Sequence, residues 1–555
     1  MVLAMILSSL GCSLSWSAEP DWSLTASIPP GGRSNPYLLN EADRDRAVEA
    51  GRLHAQIYPV DVTGLLPPYE PVRRFIEESP ADPLRLILQS LFQRFARVDS
   101  MNDLFSWIGL QPYPRPEDQG VYAVPYPGGR RPDTLMGLGL VERAGATGFT
   151  LSCAACHAGN LFGKTVLGMS TRFPRANETF RRSAWAAHYY RSSAFSSLFR
   201  ATPAEVALLD EAVRNLASVG VKRPLTLGLD TSLAQVALSL NKRNEDAMAG
   251  KNPRWQARPR ADLLDSRPAD SKPAVWWNLK YKNRWLSDGS VISGNPIFTN
   301  LLWNEIGRGA DLDRINHWLS RNDDVIRELT TAVFSAEAPR WTDFFPAEQL
   351  DLPLAKEGQG VYRLTCARCH GVYEKAWDQP AFDQAPLAER LRTTQVIYHR
   401  QTPVIDVGTD PFRHEGMKSL ERLNQLEISR RHGTVIQAQK GYVPPPLVGI
   451  WARWPYFHHN SAPSLCAVLT RSSQRPVSYY AGEARDRRRD FDAECNGYPQ
   501  GEKVPAAWRK KEFLYDTRRA GMGREGHDEG IFLERGRELL SARQKRALVE
   551  FLKTL

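Results

Sequence analysis

Cys153-Ala154-Ala155-Cys156-His157 and Cys366-Ala367-Arg368-Cys369-His370 are the two stretches from which the rest of this chain can be read. Both have the form C-x-x-C-H, the attachment pattern of c-type haem. The two thiols add across the vinyl groups of the porphyrin, and the adjacent imidazole reaches the iron as its proximal ligand. The spacing suits that task, because a short loop must hold both sulfurs at the ring edge while the His turns beneath it. With 7 Cys and 11 His in 555 residues, two such patterns are not a product of chance. Zinc fails on local grounds, since each motif is a complete haem set and no further C-x-x-C pairs with it. The expectation is two covalently attached c-type haems (iron). Cys153, Cys156 and His157 would hold one, and Cys366, Cys369 and His370 the other.

Composition bounds the rest. A hydrophobic content of 42% and a charged content of 24% are ordinary for a soluble globular chain, and the length predicts about two to four domains. A net charge of +10 favours an acidic redox partner or an anionic surface. The runs Arg487-Arg488-Arg489 and Arg509-Lys510-Lys511 read as solvated faces, and no nucleic-acid motif accompanies them.

Residues 1–18 are apolar and uncharged and end in Ser17-Ala18, like a signal peptide without its positive start, so the natural start is expected further upstream. Ser9-Leu10-Gly11-Cys12 offers the alternative of a lipoprotein anchored through Cys12. No later segment is long enough to span a bilayer. Bacterial c-type haem is attached outside the cytoplasm, so the mature protein is expected in the periplasm or secreted. In that oxidising compartment the remaining Cys466 and Cys495 are expected to form a disulfide, two free buried thiols being the alternative.

Along the chain, residues 19–140 carry no haem motif. Leu84, Leu86, Leu88, Leu91 and Phe92 mark an amphipathic helix, and Pro112 to Arg131 reads as an irregular connector. This region reads as an N-terminal extension wrapped on a first haem domain at 141–345, followed by a second at 346–555. Helical patterns run from Asn177 to Arg200 and, after a cap at Thr202, from Pro203 to Val219. The patch at 251–272, rich in Pro and Arg, reads as a surface loop. Helix-compatible segments at Leu354–Thr365 and Ser541–Leu555 are expected to pack on each other over the haem edge, as in a cytochrome c fold. The fold class is mostly α, two tandem cytochrome c-like haem domains with long irregular loops. A repeat supports two equivalent halves: Pro273-Ala274-Val275-Trp276-Trp277-Asn278 leads to Trp285, and Pro445-Pro446-Leu447-Val448-Gly449 leads to Tyr456.

These residues resemble the bacterial di-haem cytochrome c peroxidase superfamily. Residues 140–555 look most like its rubber-oxygenase-like branch, through T-L-S-C-A-A-C-H, F-H-H-N-S-A-P-S-L, Q-R-P-V-S-Y-Y-A-G and the terminal G-H followed by A-L-V-E-F-L-K-T-L. The resemblance implies a first haem that reacts with oxygen, held by His157, and a six-coordinate second haem with His370 below and His527 above. His458, His459, Met417 and Met522 compete for that sixth position. The peroxidase Met ligand would fall at Ser472 and is missing. The branch also implies an electron-relay Trp where this chain has Ser287, which leaves Trp285 and Trp277 as substitutes. An apolar distal residue is implied between about 290 and 303, Phe298 or Trp303. The function implied is an oxidoreductase activating dioxygen at the His157 haem, with the second haem as electron store or relay and an apolar organic molecule as substrate. A hydrogen-peroxide reductase fed by a small redox protein is the second reading. A non-catalytic electron carrier is the third, disfavoured because about 100 residues suffice for a haem domain that only carries electrons.

Overall fold

The computed structural model describes residue 16 and residues 18–222, 226–229, 233–242 and 271–555. The expected leader with Cys12 and the loop at 251–272 lie almost wholly outside these residues. Among the described residues the chain is mostly helical, and its strands form seven antiparallel two-stranded ladders. No helix is long and apolar enough to cross a membrane among them.

Two crossed helix pairs organise the chain. In the second half, helix Leu352–Thr365, capped by the Asp351 side chain, runs into Cys366. It packs against terminal helix Ala542–Lys553, which Ser541 and Gln544 close with a capping box. Gly358 sits at the crossing. A Cβ there would lie 1.9 Å from the Ala547 carbonyl oxygen, so only glycine lets the backbones approach this closely. Leu548 and Phe551 fill the space beside it.

The first motif is built differently from the second. No helix precedes it; a hairpin of Leu138–Arg143 and Ala146–Leu151 does, in register Leu138 to Leu151. The helix that matches Leu352–Thr365 in packing lies far upstream, at Glu41–Ile57, capped by Asn40. It crosses helix Asp323–Phe334 at Gly51, where a Cβ would meet the Glu328 carbonyl oxygen at 2.1 Å. Ala55, Tyr58 and Val60 share one core with Leu329, Val333 and Phe334. The segment expected as an extension wrapped on the first haem domain therefore supplies one half of this packed pair. Periodicity in the interior of Glu41–Ile57 is diluted by Asp, Arg and Glu, which hid this role from the sequence.

A buried carboxylate ties the segment down. Glu305, fully buried, accepts from the Thr63 hydroxyl at 3.0 Å, the Gly64 amide at 3.0 Å and the Tyr58 hydroxyl, and pairs with Arg308 at 3.2 Å. Replacing Glu305 by Ala strands a buried guanidinium and three donors. The expected loss is about 3–5 kcal/mol, read as a lower midpoint in urea denaturation; an unchanged midpoint would exclude this anchoring.

The repeat is present in the backbone. Trp285 bridges Val291 as Tyr456 bridges Ala462, Leu286 and Phe457 share a positive φ, and so do Gly289 and Asn460. Every correspondence has the same offset, 171 residues, which also separates Trp277 from Val448, the carbonyl its indole N–H donates to at 2.9 Å. Helices Ala176–Tyr189, Ser192–Phe199 and Pro203–Leu216 follow the expected patterns, the last with Thr202 in a capping box. Cys466 and Cys495 are joined as a disulfide with 5.1 Å between Cα atoms.

Candidate functional site

Both motifs open onto one continuous cavity of about 630 Å³. Each ends in a short helical turn, Ala154–His157 and Ala367–His370, in which the His amide donates to the carbonyl of the first Cys at 3.0 Å. That turn places both sulfurs and the imidazole on the cavity wall. The four thiols form no disulfide.

The imidazoles are set by matching carbonyls. Nδ1 of His157 lies 2.9 Å from the Ala274 oxygen and Nδ1 of His370 lies 2.8 Å from the Pro445 oxygen, positions that correspond in the repeat. A carbonyl only accepts, so Nδ1 carries the proton and Nε2 keeps its lone pair for a ligand. Burial pushes both rings down to about 4, so they are neutral at neutral pH, the form that binds metal.

His527 stands opposite His370, with ring centres 6.3 Å apart and planes at 54°. Two metal–nitrogen bonds of about 2 Å each, plus about 1 Å from each nitrogen to its ring centre, span that gap. Burial, with His370 and Arg475 nearby, pushes His527 down to about 3. The competitors separate cleanly. Met417 and Met522 are fully buried in the core away from the cavity, and His459 is occupied by the Gly523 carbonyl at 2.6 Å. His458 reaches the wall but stacks on Tyr442 at 3.9 Å. The ring nearest His157 is Trp276, at 5.9 Å.

Trp277 and Trp285, the two expected relay residues, lie behind the cavity wall, as does Trp276. Trp277 is wholly buried against the Val448 carbonyl, and Trp285 packs edge-on to Trp22 and Phe334. Trp276, which the sequence reading passed over, is the one beside the His157 ring; the tandem Trp276-Trp277 was the available signal. Of the two distal candidates, Trp303 lines the cavity, whereas Phe298 stacks on His432 at 4.0 Å.

The wall is strongly cationic. Arg182, Lys272, Lys282, Arg308, Arg413 and Arg453 reach it, and among the described residues it carries no Asp, Glu or Met. Arg308 and Arg413 have counter-ions behind the wall, Glu305 and Asp288. Lys272, Lys282 and Arg453 have no carboxylate within ion-pair distance among the described residues. Lys272 donates to the Arg453 and Pro455 carbonyls. Burial lowers Lys282 to about 8 and Arg453 to about 10, and lowers Lys272 strongly. Buried cations without anions are costly. The donor set therefore fits a group that brings carboxylates into the cavity, as the propionates of haem do, between pairs of thiols and neutral imidazoles. None of these cations was legible in sequence, because they come from five separated segments.

Comparison with known proteins agrees with this chemistry. A family model described as RoxA-like, cytochrome c-like matches residues 441–480, the segment holding Pro445, Arg453 and His458. That match makes the region cytochrome c-like and implies covalent haem. An uncharacterized protein, y4iJ, of Sinorhizobium fredii (strain NBRC 101917 / NGR234) is 24% identical over 476 residues, covering 73% of this chain and 76% of its own length. A second uncharacterized protein of that organism, y4iM, is 24% identical over 225 residues, 37% of this chain and 49% of its own length.

Proposed function

We propose that this chain is an exported haem oxidoreductase with two covalent haems in its two halves. One is held by Cys153, Cys156 and His157 and keeps an open position for dioxygen. The other is held by Cys366, Cys369, His370 and His527 and stores or relays electrons. The observation that carries this reading is the asymmetry of the cavity: His527 faces His370 at 6.3 Å, while His157 has no such partner among the described residues. An iron with an open position supplies oxygen chemistry, and one with two nitrogen ligands supplies only electron transfer.

The chain's own part is to hold, orient and exclude. Ala274 and Pro445 fix the two proximal rings, and Lys272, Lys282 and Arg453 receive carboxylates. Leu104, Trp107, Phe149, Phe180 and Trp303 make the first-motif end of the cavity apolar, which favours an apolar organic substrate and keeps bulk water out. Trp276 packs beside His157 and Trp277 bonds into the Pro445–Val448 segment, so the tandem pair is the contact through which electrons would pass between the halves. A small redox protein outside the cytoplasm is the expected electron donor or acceptor. The peroxide-reductase alternative loses its Met-ligated second haem, since no Met reaches the wall among the described residues.

Low-temperature electron paramagnetic resonance of the purified protein, before and after cyanide or imidazole, tests the assignment. One ligand-accessible haem beside one low-spin, ligand-resistant haem is expected. Two ligand-resistant low-spin haems would leave a plain electron carrier. Peroxide-driven oxidation of reduced cytochrome c, with no response to dioxygen, would move the assignment to a peroxidase.

A further inference from the structure

The helix expected at Leu84–Phe92 is present as Pro83–Ala96, capped by Asp82, but it is inside out. Its side toward the protein is held mainly by polar side chains, with Phe92 set edge-on to Phe75 at one border. Gln89, the helix's one buried residue, donates to the Ile76 and Glu78 carbonyls; Gln93 donates to Ile76 and Arg85 to Ser197. Its outward side is Leu84, Leu88, Leu91 and Phe95, the i, i+4, i+7, i+11 stripe of one helical face, with Ile87 beside it. These are 64%, 36%, 45% and 82% exposed, and Ile87 is 57% exposed. A row of large apolar side chains turned to water, held in place by polar contacts behind it, marks an interaction surface.

We propose that this helix docks the protein in the plane of an anionic lipid bilayer. Charge decides between occupants. From Pro83 to Val98 the chain carries Arg85, Arg94 and Arg97 and no acidic residue. Arg94 and Arg97 are exposed and flank the apolar stripe, where their stems can lie along the acyl boundary and their guanidinium groups meet lipid phosphates. A second copy would bring three Arg from each helix to one seam against a single carboxylate from each, the capping Asp82. A basic helix with Leu and Phe on its other face is the form that lies in a membrane interface rather than across it.

The test uses the intact haem-loaded protein and sedimentation with vesicles of phosphatidylcholine, alone or mixed with phosphatidylglycerol. Binding to the mixed vesicles is expected, at least about tenfold above phosphatidylcholine alone, and weakened by salt. Leu88→Asp with Phe95→Asp should abolish it without lowering the melting temperature, since both side chains are exposed. Should that variant misfold, Arg94→Gln with Arg97→Gln decides, with an expected loss of at least about fivefold. Failure of the wild-type protein to sediment, or equal sedimentation of a folded variant, overturns the proposal. So does a dimer in light scattering that the Asp variant converts to monomer, which would assign the face to a second copy.

Discussion

Replacing Cys366 and Cys369 by Ala should halve the covalent haem of this protein, from two groups per chain to one. The reason is local: each motif presents its own pair of thiols to the cavity, on its own helical turn beside its own imidazole. The measurement is a pyridine haemochrome titration after denaturation, with the intact mass giving the same count. Cys153→Ala with Cys156→Ala should give the same halving independently. A wild-type chain with one haem, or a variant retaining two, would remove the two-centre reading altogether.

The second large effect concerns His527. Its replacement by Ala should leave the haem count unchanged and convert one haem wholly from low to high spin, with a new ability to bind cyanide or carbon monoxide. His459→Ala is the matched control. It too deletes a buried imidazole, but one bonded to the Gly523 carbonyl, and its spectrum should stay low spin. Identical spectra for His527→Ala and the wild type would take His527 off the ligand list and return His458, the other His on that wall, to consideration.

What could be read in advance follows from how local each feature is. The two motifs, the terminal helix and the Thr202 cap are short patterns, complete within a few residues, and the helix and cap are found where expected. The spaced repeat was legible because two turns of equal geometry keep similar residues at equal intervals. The partner of helix Asp323–Phe334 was not, because a helix whose apolar face is narrow and interrupted by charge resembles any solvated helix. The cation set around the cavity was hidden for a different reason: Lys272, Lys282, Arg413 and Arg453 converge only after folding, and a lone basic residue in sequence is most often on the surface. Helix Pro83–Ala96 misled in the opposite sense, since periodicity reports that one face is apolar and not which way it points.

The crossing of Glu41–Ile57 with Asp323–Phe334 bears on how the chain assembles. The contacting residues Gly51 and Glu328 are separated by about 280 residues, so the loop they close is long and late. The first C-x-x-C-H lies inside that loop, so a chain exported as proposed would expose it well before the partner helix arrives. Its thiols are thus reachable by an attachment enzyme while the surrounding unit is still open. Leu352–Thr365 waits in the same way for Ala542–Lys553. Vectorial synthesis would give each porphyrin a window for chemistry, shut afterwards by two glycines at helix crossings, where any larger residue would hold the door ajar.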